Sequence, residues 1–293
     1  MYLHAVAIGE AVPSGNFQGE VHTVFDSVVN LRVDGCATLV TLHAAQAGDF
    51  PQGIRLKATS LFPMRDCAAG QRAWRIGQVI YLPSAGWQVA LGAAQVWQCD
   101  WAGAQVDFSA PGVSAAWTAM QEQVSASCLC AAKDEKYAAM ARASVASLAQ
   151  GLAALRESAA GLDSAAVHRT AAALAGLGCG LTPAGDDMLL GFAAGLRACS
   201  GTDAGRLAFL ETFGLALRAA AQRTNDISRT YLLLAACGKF SSSVMDVLRA
   251  VGRGEIGDSL ACAVNRLLST GHSSGRDTAA GLLAGLAVWG NRT

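Results

Sequence analysis

Hydrophobic and polar positions alternate along the first part of the chain and recur at helical spacing in the rest. Residues 21–25, 27–33 and 37–42 carry β-branched and alternating runs that predict strands. Asp34 and Gly35, between the last two runs, form a hairpin-turn dipeptide. Residues 78–82 and 87–91 predict another strand pair joined through Pro83 and Gly86, and residues 95–97 add one more. After Pro111 and Gly112 the period changes. Residues 117–130, 135–149 and 165–175 carry apolar residues at helical spacing, and further helices are expected at 206–223, 228–237, 242–250 and 256–269. The pattern predicts an α+β protein. A β-rich N-terminal domain over 1–112, a sandwich or partly open barrel, precedes a mainly α-helical C-terminal domain over 113–293.

Composition narrows the class. The 293 residues suit two domains better than one. Lys+Arg and Asp+Glu are balanced at 22 each, and charged residues make up 15%, where about 25% is typical. With 52% hydrophobic residues, the chain is the opposite of a disordered one. Zero net charge argues against nucleic acid as a partner. Membrane insertion is not expected either. The apolar run over 188–199 is broken by Arg197, and that over 278–289 falls short of the roughly 20 residues a span needs. Residues 1–12 lack a basic start and contain Glu10, unlike a signal peptide. The nine cysteines form no C-x-x-C pair and no zinc-ligand spacing, so a cytoplasmic chain with reduced, mostly buried thiols is expected.

The candidate chemistry lies in two stretches. The first runs Leu177, Gly178, Cys179, Gly180, Leu181, Thr182, Pro183, Ala184, Gly185, Asp186, Asp187. Its glycines suit positive φ after a helix. Thr182 followed by Pro183 predicts an N-cap with proline at the first helical position. Asp186 and Asp187 then fall in the first turn, where the helix dipole favours negative charge. Read alone, this is equally a well-capped core helix. The second stretch follows Gly271, His272, Ser273 and Ser274, and matches the first at an offset of 90. Gly185 pairs with Gly275, Asp187 with Asp277, Gly191 with Gly281 and Gly195 with Gly285.

Both stretches continue as G-x-x-x-G, which lets two backbones approach closely. Two central helices packed side by side are expected, with their N-termini converging on one cleft. Such termini offer unpaired N–H groups and partial positive charge to phosphate or carboxylate. Asp186, Asp187 and Asp277 would orient an amide or ammonium donor, or hold Mg²⁺ through oxygen. His272 is a candidate general acid or base, or else a solvent-exposed loop residue. Between the stretches, Thr224 and Ser228 are spaced to share a helix face, with Asn225 or Asp226 as the cap. They are read either as capping groups or as ligand contacts. Met64, Arg65 and Asp66 are a weaker candidate contact from the β-rich part.

These motifs resemble a known family. Gly178-x-Gly180-Leu181-Thr182-Pro183-x-Gly185-Asp186-Asp187, the Thr224/Ser228 segment and Gly271-His272-x-Ser274-Gly275-x-Asp277 are similar to the AllH-like subunit of oxamate carbamoyltransferase, an enzyme of allantoin breakdown. The middle motif departs from the family's, with Arg223-Thr224 where two adjacent threonines are common. The resemblance implies carbamoyl transfer between carbamoyl phosphate and oxamate, giving oxalurate and phosphate. It also implies a hetero-oligomer with partner subunits, one of them acyl-CoA-synthetase-like. On that reading Asp186, Asp187, Asp277 and His272 serve catalysis. Gly178, Gly180, Thr182, Gly185, Thr224, Ser228, Ser273, Ser274 and Gly275 line a site for a small carboxylate or phosphate. The residues leave two alternatives open: a non-catalytic assembly or regulatory subunit, and an Mg²⁺-assisted hydrolase of a ureido or amide compound.

Overall fold

A computed structural model of the chain describes residues 1–44, 48–57, 66–131 and 135–290. Met64 and Arg65 lie outside the described residues. The chain divides into two compact units, Met1–Cys99 and Asp100–Thr293, so residues 100–112 belong with the second.

The first unit holds, among the described residues, nine strands: β1 (Tyr2–Gly9), β2 (Phe17–Val24), β3 (Val28–Val33), β4 (Val40–His43), β5 (Gly53–Leu56), β6 (Arg72–Ile76), β7 (Val79–Leu82), β8 (Trp87–Ala90) and β9 (Gln95–Trp97). They follow the order β5-β4-β3-β2-β6-β7-β8-β1, and β1 then pairs antiparallel with β5, placing Ala5 opposite Leu56 and Ile8 opposite Ile54. Eight strands therefore close into a barrel rather than a sandwich or an open sheet. The ninth strand, β9, runs parallel to the second half of β1, with Ala7 opposite Gln95.

Alternate residues point inward, as the pleat requires, and Val29, Leu31, Leu42, Ile54, Ile80 and Trp87 fill the interior. The turn at Asp34 and Gly35 is present, with Gly35 at φ 78°. The β3–β4 connection is longer than a two-residue hairpin, because residues 37–39 are not extended and β4 starts at Val40.

The second unit carries, among the described residues, nine helices: α1 (Val113–Ala131), α2 (Glu135–Ala160), α3 (Ser164–Leu174), α4 (Ala184–Ala198), α5 (Ala204–Ala220), α6 (Asp226–Ala235), α7 (Ser242–Gly252), α8 (Asp258–Leu268) and α9 (Ser274–Gly290). The molecule is thus α+β with a β-rich first unit, as the periodicities predict. No helix among the described residues is long and apolar enough to cross a membrane.

Helix α4 is almost wholly buried, and aromatic rings join it to α5 and α5 to α9. Phe192 meets Phe213 of α5 edge-on at 5.8 Å, and Phe209 of α5 meets Trp289 of α9 at 6.2 Å. One expectation is overturned. Of the cysteines whose side chains are described, only Cys67 and Cys199 are buried, while Cys36, Cys179, Cys237 and Cys262 are exposed. Cys179 sits in a loop and Cys262 on the outer face of α8, positions where an apolar neighbourhood in sequence implies no burial in space.

Candidate functional site

Helices α4 and α9 lie against each other through their glycines. A Cβ on Gly191 would sit 2.0 Å from the carbonyl oxygen of Thr278, and one on Gly281 would sit 2.1 Å from that of Met188. Gly195 would meet the Leu282 oxygen at 2.6 Å and Gly285 the Phe192 oxygen at 2.5 Å. Any side chain at these four positions would force the backbones apart. The contacts are also reciprocal: Met188 and Thr278, like Phe192 and Leu282, are 90 residues apart. Numbering rises together along both helices, so they run parallel and their N-termini adjoin, as the repeated motif predicts.

The first turns of these helices correspond. Pro183 O accepts the N–H groups of Asp186 and Asp187 at 2.9 and 3.3 Å, and Ser273 O accepts those of Arg276 and Asp277 at 2.9 and 3.1 Å. Gly185 and Gly275 each let the new helix start against the end of the one before it. A Cβ on either would lie 2.1 Å from Leu174 O or 2.0 Å from Leu267 O. The loops differ in length. The α3–α4 loop spans 175–183 and turns on Gly176, Gly178 and Gly180, all at positive φ, whereas the α8–α9 loop spans only 269–273 and turns on Gly271.

The structure corrects the cap. Helix α4 begins at Ala184, the residue before it is Pro183 in an extended conformation, and no side chain caps it. The hydroxyl of Thr182 instead hydrogen-bonds that of Ser274 across the two loops. A second correction concerns the middle segment. Asn225 caps α6 by accepting from Ile227 and Ser228 N–H, and Thr224 precedes it in extended backbone. Thr224 and Ser228 therefore do not share a helix face. Both nevertheless reach Asp186. Thr224 Oγ1 donates to Asp186 Oδ2 at 2.5 Å, Gly176 N–H donates to Oδ1 at 2.9 Å, and the buried Ser228 hydroxyl lies beside the same carboxyl. Asp186 thus ties the α3–α4 loop to the start of α6.

The carboxylates divide by environment. Burial raises the Asp186 pKa above its ordinary value, against the pull of Thr224, Gly176 and Ser228. Asp187 is 7% exposed, and its Oδ2 is buried with no hydrogen-bond partner. Burial, followed by the neighbouring charges of Asp277 and Asp186, pushes its pKa well up, while the Thr182 and Ser274 hydroxyls beside it pull the other way. Asp277 is half-buried. Burial raises its pKa, and the Ser273 hydroxyl and Arg276 oppose the rise.

His272 is exposed on the shorter loop, and its carbonyl accepts from Arg276 at 2.8 Å. Thr182, Ser274, Asp187 and Asp277 are thus brought together. Asp186, Thr224 and Ser228 form the adjoining latch. Arg276 carries no signal in the sequence motifs, and Asn225 is expected there only as a cap. Yet Arg276 stands 90 residues from Asp186, and the Asn225 amide donates to Leu181 O at 2.9 Å. Among the described residues no three His, Cys, Asp or Glu side chains come together with the geometry to hold a metal ion. Two parallel helix ends with partial positive charge, two paired hydroxyls and a buried carboxyl with one unpartnered oxygen are suited to a small oxygen-rich ligand.

Comparison with known families agrees with this partition. Residues 174–286 match the family described as oxamate carbamoyltransferase subunit AllH, a span that contains both loops, α4 and most of α9. Residues 4–96, covering the barrel strands, match the AllH family N-terminal domain. No curated protein and no solved structure matches the chain significantly. With both family domains present in order and together covering most of its length, the chain belongs to the AllH family.

Proposed function

We propose that the chain is the AllH-type subunit of a carbamoyltransferase acting on carbamoyl phosphate and oxamate, with oxalurate and phosphate on the other side. One observation carries the reading: a buried, unpartnered carboxyl oxygen of Asp187 lies where two parallel helices begin. The ends of α4 and α9 would bind the anionic part of the substrate, and Thr182, Ser273 and Ser274 would bond its oxygens. Asp277, the more accessible carboxylate, would accept an amide N–H. His272 stands on the same loop as a titratable group. Transfer would then proceed by positioning and charge stabilisation. Asp186, with Thr224 and Ser228, holds the loop. The family description as a subunit supports a hetero-oligomer, in which an acyl-CoA-synthetase-like chain is the expected partner.

Isothermal titration with carbamoyl phosphate, oxamate, oxalurate and phosphate tests the proposal, on the chain alone and with its partner subunits. Binding of at least one of these, weakened by Thr182→Val together with Ser274→Ala, is expected. No binding in either form would sink the reading. Normal turnover by a complex carrying Asp277→Asn and Asp187→Asn would assign the chain a purely assembly or regulatory role.

A further inference from the structure

Resting on the site proposed above, we infer that Asp187 takes part in binding as a neutral carboxylic acid, its buried Oδ2 donating a hydrogen bond to an oxygen of the bound carboxylate or phosphate. Three features of the geometry lead there. Asp187 Oδ2 has neither solvent nor partner, and an ionised oxygen in that state is among the costliest arrangements a protein can hold. The charged groups that reach Asp187 are both carboxylates, Asp186 from its own helix and Asp277 from α9.

No basic side chain among the described residues compensates. Arg276 of α9, which precedes Asp277 in the chain, acts on Asp277 and donates to the His272 carbonyl. An oxyanion drawn by the two helix ends would meet three negative carboxylates if all were ionised. A protonated Asp187 turns that repulsion into a donor placed between the helices. Burial and the two neighbouring carboxylates act in this direction, since together they hold the Asp187 pKa well above the ordinary range. The hydroxyls of Thr182 and Ser274 can rotate, and so can donate to the same anion.

The test uses the full chain, with its partner subunits where these are needed for binding, in buffer containing a chelator. Oxamate and inorganic phosphate are titrated separately in two buffers of different ionisation enthalpy across pH 6–9. Binding is expected to take up protons as the pH approaches the Asp187 pKa. Above that pKa, affinity should fall by up to tenfold per pH unit. Asp187→Asn keeps a donor in place, so its affinity for oxamate should stay within about threefold of the unmodified protein at pH 6 and become flat with pH. Asp187→Ala should lose tenfold or more.

Proton-independent oxamate binding that Asp187→Ala leaves unchanged overturns the inference while leaving the site standing. A tenfold loss on Asp187→Asn for oxamate, with phosphate binding improved, does the same by making Asp187 an acceptor for the oxamate amide. If the unmodified protein binds neither anion, the proposed site itself falls, and the inference with it.

Discussion

The two helix–loop–helix units, α3–α4 and α8–α9, solve one structural problem in two ways. Helices α3 and α8 each contain 11 residues, and each leads through a glycine loop into a helix whose first turn carries an aspartate. Both second helices start on a carbonyl 90 residues apart, Pro183 and Ser273. The loops are then secured by opposite charges. Asp186 holds the longer loop by accepting from Gly176 and Thr224, and Arg276, at the corresponding position, holds the shorter one by donating to His272. Shared backbone geometry therefore belongs to the scaffold. The differences lie in loop length and in the burial of Asp187 against Asp277.

The scaffold part of the comparison can be broken most severely at the glycines. Gly191→Ala and Gly281→Ala each place a methyl group about 2 Å from a carbonyl of the other helix. Since helix backbones must then separate within a packed core, each change is expected to cost about 3 kcal/mol or more. Urea denaturation should show comparable losses for the two. A loss confined to one of them would show that the helices are not related as the reciprocal contacts indicate.

That relation was legible in the sequence because it is written in residues with no side chain. Glycine at Gly185, Gly191 and Gly195, repeated 90 positions on, has few other uses within a helix. Other features were hidden for physical reasons. Strand β6 presents Ala73 and Arg75 to the interior, so an arginine stands where alternation demands an apolar residue, its Nε and NH1 donating to Gly77 and Pro13 carbonyls. Strand β1 turns Leu3, Ala5 and Ala7 inward, and alanine is a weak strand signal. The pairing of Thr182 with Ser274 could not be read locally. Thr182 before Pro183 looks like a cap, and only the neighbouring loop shows the hydroxyl engaged elsewhere.

The latches provide the next comparison. Thr224→Val removes the donor to Asp186 Oδ2 and leaves a buried carboxyl oxygen poorly satisfied. A loss of about 2 kcal/mol is expected, the range for a hydrogen bond to a buried charged group. Arg276→Met releases the His272 carbonyl on an exposed loop and removes a charge that acts on the half-buried Asp277, and should cost less than about 1 kcal/mol. Thermal melting of both variants under one condition decides the order, and equal losses would remove the distinction between a buried and an exposed latch.

The two aspartates at corresponding positions should differ in how they couple stability to pH. Burial raises the folded-state pKa of Asp187 above the unfolded value of about 3.9. Between those values the folded protein keeps a proton that the unfolded chain has released. The stability so gained is fully present below the unfolded pKa and is lost as pH rises through the folded one. Asp187→Asn should therefore match the unmodified protein in stability near pH 4 and exceed it near pH 8 by about 1 kcal/mol, because the unfolded aspartate is ionised there and the buried one is not easily so. Asp277→Asn should show the same sign with a smaller amplitude, because Ser273 and Arg276 oppose the shift there. A larger effect at Asp277 would reverse the assignment of the two carboxyls.

The smallest effect is expected where the loops differ most in length. The α3–α4 loop exceeds its counterpart by four residues, and its tip exposes Cys179, Gly180 and Leu181, the last at 60%. A leucine side chain in that position buries little apolar surface. The tip is held through backbone, by the Asn225 amide on the Leu181 carbonyl. Leu181→Ser should therefore change stability by no more than about 0.5 kcal/mol. Asn225→Ala, which removes both that bond and the α6 cap, should cost about 1 kcal/mol. Melting curves for the pair test whether the extra residues belong to the packed scaffold. A loss at Leu181 as large as that at Asn225 would mean that the side chain packs, and the added length would then be part of what holds α4 and α9 in register.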